Sequence, residues 1–224
     1  MHESSSIQNR DKWETLRQQM VENQLRIRGI SDLRVLDAMS RVPREEFVSP
    51  EKKEFAYNDC ALPIDSNQTI SQPFTVAYMC EAAQLTGDEN VLEIGSGSGY
   101  GAAVLSLLAR EVHTVERIPE LMQQATERLQ HLDYSNVQVY TADGTMGVPQ
   151  AAPFDAIIVT AGAESLPEPY LDQLKDGGRI IIPIGTEHTD QTMYRFTLKN
   201  GELHQENLGA FTFVPLIGGY GWLS

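Results

Sequence analysis

Short runs rich in Val and Ile recur through the middle of the chain, at residues 90–94, 112–115, 137–140, 156–160 and 180–184, with helical stretches between them. Runs of this length and composition read as strands. Their alternation with helices predicts an α/β fold, a mostly parallel, doubly wound sheet covered by helices on both faces. The last two stretches, 191–198 and 202–213, are joined by Asn200-Gly201, a pair that favours a tight hairpin turn. The sheet should therefore finish on an antiparallel hairpin, a departure more expected of a methyltransferase domain than of a plain dinucleotide-binding dehydrogenase.

Ahead of the strands the period becomes helical. Trp13, Leu16, Met20 and Ile27 predict an amphipathic helix over 13–28 with Gly29 as its stop, and the polar start, 1–11, is expected to fray. A second helix can be capped by Ser31 or Asp32, has an apolar face of Val35, Leu36 and Met39, and ends at Pro43. A short charged segment from Pro50 leads into an irregular stretch, 57–73; irregular chain of that length inside a compact domain is usually functional. Pro73 suits the first position of a helix to about Leu85, with Val76, Met79, Cys80 and Ala83 as its buried stripe. Another helix, 101–109, should follow the first strand.

Composition narrows the function. With 41% hydrophobic and 21% charged residues the 224-residue chain reads as one globular domain, an N-terminal helical segment over about 11–85 and an α/β core over about 90–216. The 17 basic residues face 31 acidic ones, a net charge of -14, which argues against a nucleic-acid partner because such binding relies on clustered Lys and Arg. No apolar run is long enough to span a membrane, so a cytoplasmic location is expected. Cys60 and Cys80 form no CxxC pair and read as small buried hydrophobes, and His2, His113, His131, His188 and His204 are scattered, so no metal site is expected.

The candidate chemistry sits in Glu93-Ile94-Gly95-Ser96-Gly97-Ser98-Gly99-Tyr100, a glycine-rich turn between the first strand and its helix. Such a turn lets backbone approach a ligand at the carboxyl end of a strand, and Glu116 closes the next strand, where an acid can grip ribose hydroxyls. The turn lacks the GxGxxG spacing that sets a helix start on a pyrophosphate. Glu93 beside it suits S-adenosylmethionine, whose methionine end is cationic and carries no phosphate. Asp143-Gly144, past the third strand, borders the same crevice and is placed for the adenine amino group or a neighbouring contact. Solvated strand ends for Glu93 and Glu116, and a plain turn for Asp143, are the bland readings.

Ser71 lies just ahead of Pro73, where it can cap the helix, or hold an anion at a helix start rich in free N–H groups. Around it the chain resembles the protein-L-isoaspartate O-methyltransferases, from about residue 20 to 216. The resemblance is carried by Arg28-Gly29-Ile30, Val42-Pro43-Arg44-Glu45-Glu46-Phe47-Val48, Leu62-Pro63-Ile64, Gln68-Thr69-Ile70-Ser71-Gln72-Pro73, the glycine-rich turn, Ala152-Pro153-Phe154-Asp155 and Phe213-Val214-Pro215-Leu216. Val148, where many relatives carry tryptophan, and the glycine-rich tail 218–221 with Trp222 depart from the pattern.

The resemblance implies a Rossmann-like S-adenosylmethionine-dependent methyltransferase that repairs isoaspartyl residues and works as a monomer. It implies that Ser71 is the active-site serine. Glu93, Gly95, Ser96, Gly97, Ser98, Gly99, Glu116, Asp143 and Gly144 would hold the cofactor, and Thr69, Ile70, Ser71, Val214, Pro215 and Leu216 would shape a groove for an extended peptide. A small-molecule methyltransferase or an inactive binding module built on the same fold are the rival readings.

Overall fold

The computed structural model describes residues 2–187 and 190–223. Helix α1, His2–Met20, begins well before the expected start, so the polar stretch is helical backbone rather than frayed chain. It continues as a π-helical turn, Val21–Arg26, and Gly29 at φ +100° then breaks it. That wider turn buries Val21 and Leu25 together with Met20. Helix α2, Leu33–Arg41, is capped by Asp32, whose side chain accepts from the backbone N–H groups of Arg34 and Val35. A short 3-10 turn, Pro50–Phe55, fills the charged segment.

The stretch 57–73 is not wholly irregular. Strands β1, Leu62–Pro63, and β2, Thr69–Ile70, pair antiparallel and carry the chain into α3, Pro73–Ala83. Gln72, not Ser71, occupies the cap position of α3, and no side chain caps it. Ala77, Met79, Cys80, Ala82 and Ala83 are buried on α3, whereas Val76 is only half-buried, because neighbours on more than one side cover this helix.

Strand β3, Asn90–Ile94, then leads through the glycine turn into α4, Tyr100–Ser106, shorter than expected at its C-terminal end. After it come β4, Glu111–Glu116, α5, Pro119–His131, β5, Val137–Thr141, and β6, Phe154–Val159. A single turn, α6, Pro169–Asp172, precedes β7, Leu174–Glu187, which starts earlier than its Ile run. Strands β8, Asp190–Lys199, and β9, Glu202–Phe211, close the sheet, and the turn between them has Asn200 at φ +53° and Gly201 at φ +79°, as the dipeptide requires.

The order across the sheet is β5-β4-β3-β6-β7-β8-β9, parallel up to β7 and antiparallel beyond. The chain leaves β3 toward β4 on one side and later returns to β6 on the other, so a crevice opens where the order reverses. Alternate residues fill two cores. Val91, Val112, Ala156, Ile158 and Ile181 pack under α1 to α4, and Leu92, Ile94, Val115, Ile157, Val159 and Ile180 pack on the opposite face. Cys80 is buried but Cys60 is exposed, contrary to the pair of buried thiols expected, because it falls in the surface loop ahead of β1. His188 and the side chain of His2 lie outside the described residues.

Candidate active site

The carboxyl ends of β3, β4 and β6 open into one cavity of about 1180 Å³, larger than the roughly 300–1,000 Å³ usual for a single small ligand. Its inner part is the glycine turn. Gly95 stands at φ +96°, and a Cβ there would meet Thr160 Oγ1 at 2.6 Å, so only glycine fits between β3 and β6. Glu116 ties the turn to β4: one oxygen accepts from Gly97 N at 3.0 Å and the other from Ile118 N at 3.0 Å.

Glu93 lies at the floor, 1% exposed. Thr114, its neighbour across the β3–β4 pairing, donates to its carboxyl at 2.5 Å, and Ser96 Oγ lies 2.6 Å from the Thr114 hydroxyl. Burial pushes Glu93 up to about 8, against the hydrogen bond from Thr114, which pulls the other way. The carboxyl reaches Gly101 at the start of α4, where any Cβ would sit 2.1 Å from Glu93 Oε1.

The outer part is built by the segment around β2 and α3 on one side and residues 208–217 on the other. Ser71 lines it half-buried, and among the described residues its hydroxyl has no hydrogen-bond partner; its carbonyl accepts from Arg44 at 2.8 Å. At the rim the Arg28 guanidinium stacks 3.6 Å over the Phe74 ring and pairs with Asp59 at 3.1 Å. Tyr78 stacks on Phe211 and donates to the Leu208 carbonyl at 2.9 Å, joining α3 to the end of β9. The facing wall is held by Gln191, which donates to the Phe213 carbonyl and accepts from the Phe213 N–H, and by Gly162, which donates to Val214 and accepts from Leu216.

Of the residues singled out from sequence, Thr69, Ile70, Ser71, Glu93, Gly95, Ser96, Gly97, Ser98, Glu116, Gly144, Val214, Pro215 and Leu216 all line this cavity. Gly99 and Asp143 do not. Gly99, at φ +89°, packs against Ala125 of α5 and starts α4. Asp143 spends both oxygens on its surroundings: Oδ1 accepts from Thr145 N and Oγ1, and Oδ2 accepts from Gly219 N in the tail. Burial would raise this acid, but the bonds from Gly219 and Thr145 and the nearby Arg117 outweigh it and hold it below the usual carboxylate range. Thr114, Thr160 and Gln191 went unnoticed in the sequence. A Thr114 buried between Val112 and Val115 in a predicted strand, beside His113, was a usable signal for one of them.

The lining sets the ligand chemistry. It offers three acidic side chains, Asp59, Glu93 and Glu116, against two arginines, Arg28 and Arg117, and no basic cluster for a pyrophosphate among the described residues. A cofactor with a cationic end and a ribose fits that donor set, with Glu93 and the turn at one end and Glu116 at the other. Together, this sheet order and this cavity define a Rossmann-like methyltransferase.

Comparison with known proteins sharpens the assignment. The family model described as protein-L-isoaspartate(D-aspartate) O-methyltransferase matches residues 15–221, and the chain belongs to that family. It is 51% identical to protein-L-isoaspartate O-methyltransferase 2 of Pelobacter propionicus, over 92% of each chain. It is also 51% identical to the protein-L-isoaspartate O-methyltransferase of Dictyoglomus turgidum, over 94% of this chain and 95% of that one. Among solved structures, a protein-L-isoaspartate O-methyltransferase superposes with a TM-score of 0.82 at 32% identity, covering 92% of this chain and 67% of the other. A Plasmodium falciparum structure described as the same kind of enzyme, in complex with S-adenosyl-L-homocysteine, gives a TM-score of 0.78 at 28% identity, over 90% of this chain and 98% of that one.

Proposed function

We propose that the whole chain works as one methyltransferase domain in which Ser71 and the start of α3 hold the free α-carboxylate of an L-isoaspartyl residue against the cofactor pocket. The enzyme esterifies isoaspartyl residues of damaged proteins with the methyl group of S-adenosyl-L-methionine, the activity of its family. The observation that carries the site reading is the single cavity. It joins an unpartnered Ser71 hydroxyl and the N-terminus of α3 to the turn bounded by Glu93 and Glu116.

The acceptor needs no activation by the protein. An α-carboxyl has a pKa well below 7, so the nucleophile arrives ionised and no general base is required. Pro73 opens α3, Val76 N–H is the first to find a carbonyl, that of Gln72, and the N–H groups of Phe74 and Thr75 have no intrahelical acceptor, so they and the Ser71 hydroxyl can bind the carboxylate oxygens. When bound, S-adenosyl-L-methionine supplies an electrophilic methyl group on a sulfonium. Glu93, Gly95 to Ser98, Glu116 and Gly144 hold that ligand, while the wall at Val214, Pro215 and Leu216 and the strand Thr69–Ile70 flank the peptide and exclude water. Alignment of two reactants in this way is worth about 7–11 kcal/mol of barrier. The ester that results can lose its alcohol to attack by the following backbone nitrogen, giving a succinimide that opens partly to normal aspartate without the enzyme.

The reading extends to a cytoplasmic monomer with neither nucleic acid nor membrane as partner. The net charge of -14 argues against a polyanionic partner, and no helix among the described residues is long and apolar enough to cross a membrane. Methyl transfer from labelled S-adenosylmethionine to a matched pair of short peptides, isoaspartyl and aspartyl, tests the function. Base-labile label on the isoaspartyl peptide alone is the expected result; transfer to neither, despite cofactor binding, would overturn it.

A further inference from the structure

Arg44 opens the short 3-10 turn Arg44–Phe47 and is fully buried. Its Nε donates to the Ala56 carbonyl at 2.7 Å and its Nη2 to the Ser71 carbonyl at 2.8 Å. The guanidinium carbon stands 4.7 Å from the centre of the Tyr100 ring, which itself lines the cavity. Its third nitrogen, Nη1, is buried with no hydrogen-bond partner among the described residues.

Among the described residues this cation also has no counter-ion. Its sequence neighbour Glu45 is engaged by Arg17 at 3.2 Å and by the Tyr57 hydroxyl. The groups that act most on Arg44 are Tyr100, Tyr57 and Cys60, and burial pushes both tyrosine hydroxyls up, so neither is an anion at neutral pH. Burial disfavours the charge on Arg44 too, yet a guanidinium stays protonated in proteins. A buried charge without a partner is costly, and two backbone carbonyls alone do not demand one. What the charge adds is a positive potential behind Ser71, in surroundings where low dielectric makes it count.

We propose that Arg44 is a positioning residue that makes the acceptor site selective for an ionised carboxylate. It fixes Ser71 by its carbonyl, and the incoming α-carboxylate supplies the negative charge that this corner of the protein lacks. The inference rests on Ser71 marking the acceptor site.

The test compares two peptides that differ only at the α-carbon of the isoaspartyl residue, one with the carboxylate and one with a carboxamide. Binding to the enzyme with S-adenosylhomocysteine is measured for the wild type, Arg44→Met and Arg44→Lys. Wild type should prefer the carboxylate about tenfold or more, and should keep that preference when salt is raised to about 0.5 M, because buried charges are screened little. Arg44→Met should cut the preference severalfold, to what the Ser71 hydroxyl and the α3 N–H groups provide alone, while leaving the carboxamide peptide and S-adenosylhomocysteine bound as before. Arg44→Lys should retain the preference but lower kcat, since an ammonium keeps the charge and loses the fork that grips two carbonyls. Equal loss for both peptides in Arg44→Met would reduce Arg44 to a structural role and overturn the proposal. If Arg44→Met does not fold, the salt series on wild type and Arg44→Lys decides, and a preference that disappears with salt overturns it. Failure of the wild type to methylate any isoaspartyl peptide would instead strike the acceptor-site reading.

Discussion

Gly97, in the turn after β3, and Glu116, the last residue of β4, are joined by a hydrogen bond of 3.0 Å from the glycine N–H to the carboxylate. The bond lets one side chain both shape the glycine turn and face the cavity. Glu116→Ala should therefore weaken S-adenosylhomocysteine binding about ten- to a hundredfold, the worth of one to two charge-assisted hydrogen bonds. Calorimetric titration checks this, and unchanged affinity would remove Glu116 from the cofactor pocket.

Ser71→Ala is expected to lower kcat on an isoaspartyl peptide about ten- to a hundredfold while leaving cofactor affinity nearly intact. Steady-state kinetics at saturating cofactor, paired with a binding titration, separates the two effects. Lost cofactor affinity with turnover preserved would show that Ser71 belongs to the other half of the cavity.

Gly101→Ala places a methyl group against Glu93 Oε1, and the carboxyl can move aside only by straining its hydrogen bond from Thr114. A loss of stability of about 1–3 kcal/mol is expected, as for other overpacked interiors. Urea denaturation measures it. The paired variant Gly101→Ala with Glu93→Ala should recover part of the loss, since the clash is gone.

Glu93 is held at about 8 in the folded protein against an ordinary 4.5, so the native state binds this proton more tightly than the unfolded chain. The stability it contributes is complete below about pH 4.5 and is lost as pH rises toward 8. Glu93→Gln, neutral at every pH, should not show that decline. In ligand-free denaturation series the variant should gain on wild type steadily from pH 5 to 8, and a constant difference across that range would mean that Glu93 is already ionised.

Gln191→Ala removes both hydrogen bonds to the Phe213 backbone and loosens the wall that leads to Val214. KM for the peptide should rise severalfold with cofactor affinity unchanged. Peptide-dependent kinetics would show it, and an effect on cofactor binding alone would move Gln191 to the other half of the site.

The central strands β3, β6 and β7 were legible because they are runs rich in Val and Ile that pack on both faces, whereas β8 and β9, which hold neither residue, were legible through the conformational demand of the Asn200-Gly201 turn that joins them. The turn at Gly95 and the acids Glu93 and Glu116 could be placed for the same reason: each sits at the end of a strand that the pattern already defines. For Asp143 the local turn at Thr145 could be read, but not the bond to its other oxygen, which comes from Gly219, 76 residues away along the chain. Ser71 looked like a cap by position, yet its hydroxyl bonds to none of the described residues. Whether a serine before a helix turns inward depends on backbone angles that the preceding β1–β2 pair sets. Arg44 reads as one basic residue in a charged stretch, and only the tertiary structure shows it sealed from water.

The cavity has its sealed floor at Glu93 and a rim at Arg28, Gln72 and Phe211 that is at least partly open to solvent. A peptide lying across that rim stands between the floor and the outside. Turnover should then follow an ordered sequence, cofactor first to enter and its demethylated form last to leave, and that spent cofactor, more than the methylated chain, would govern how soon the next cycle begins.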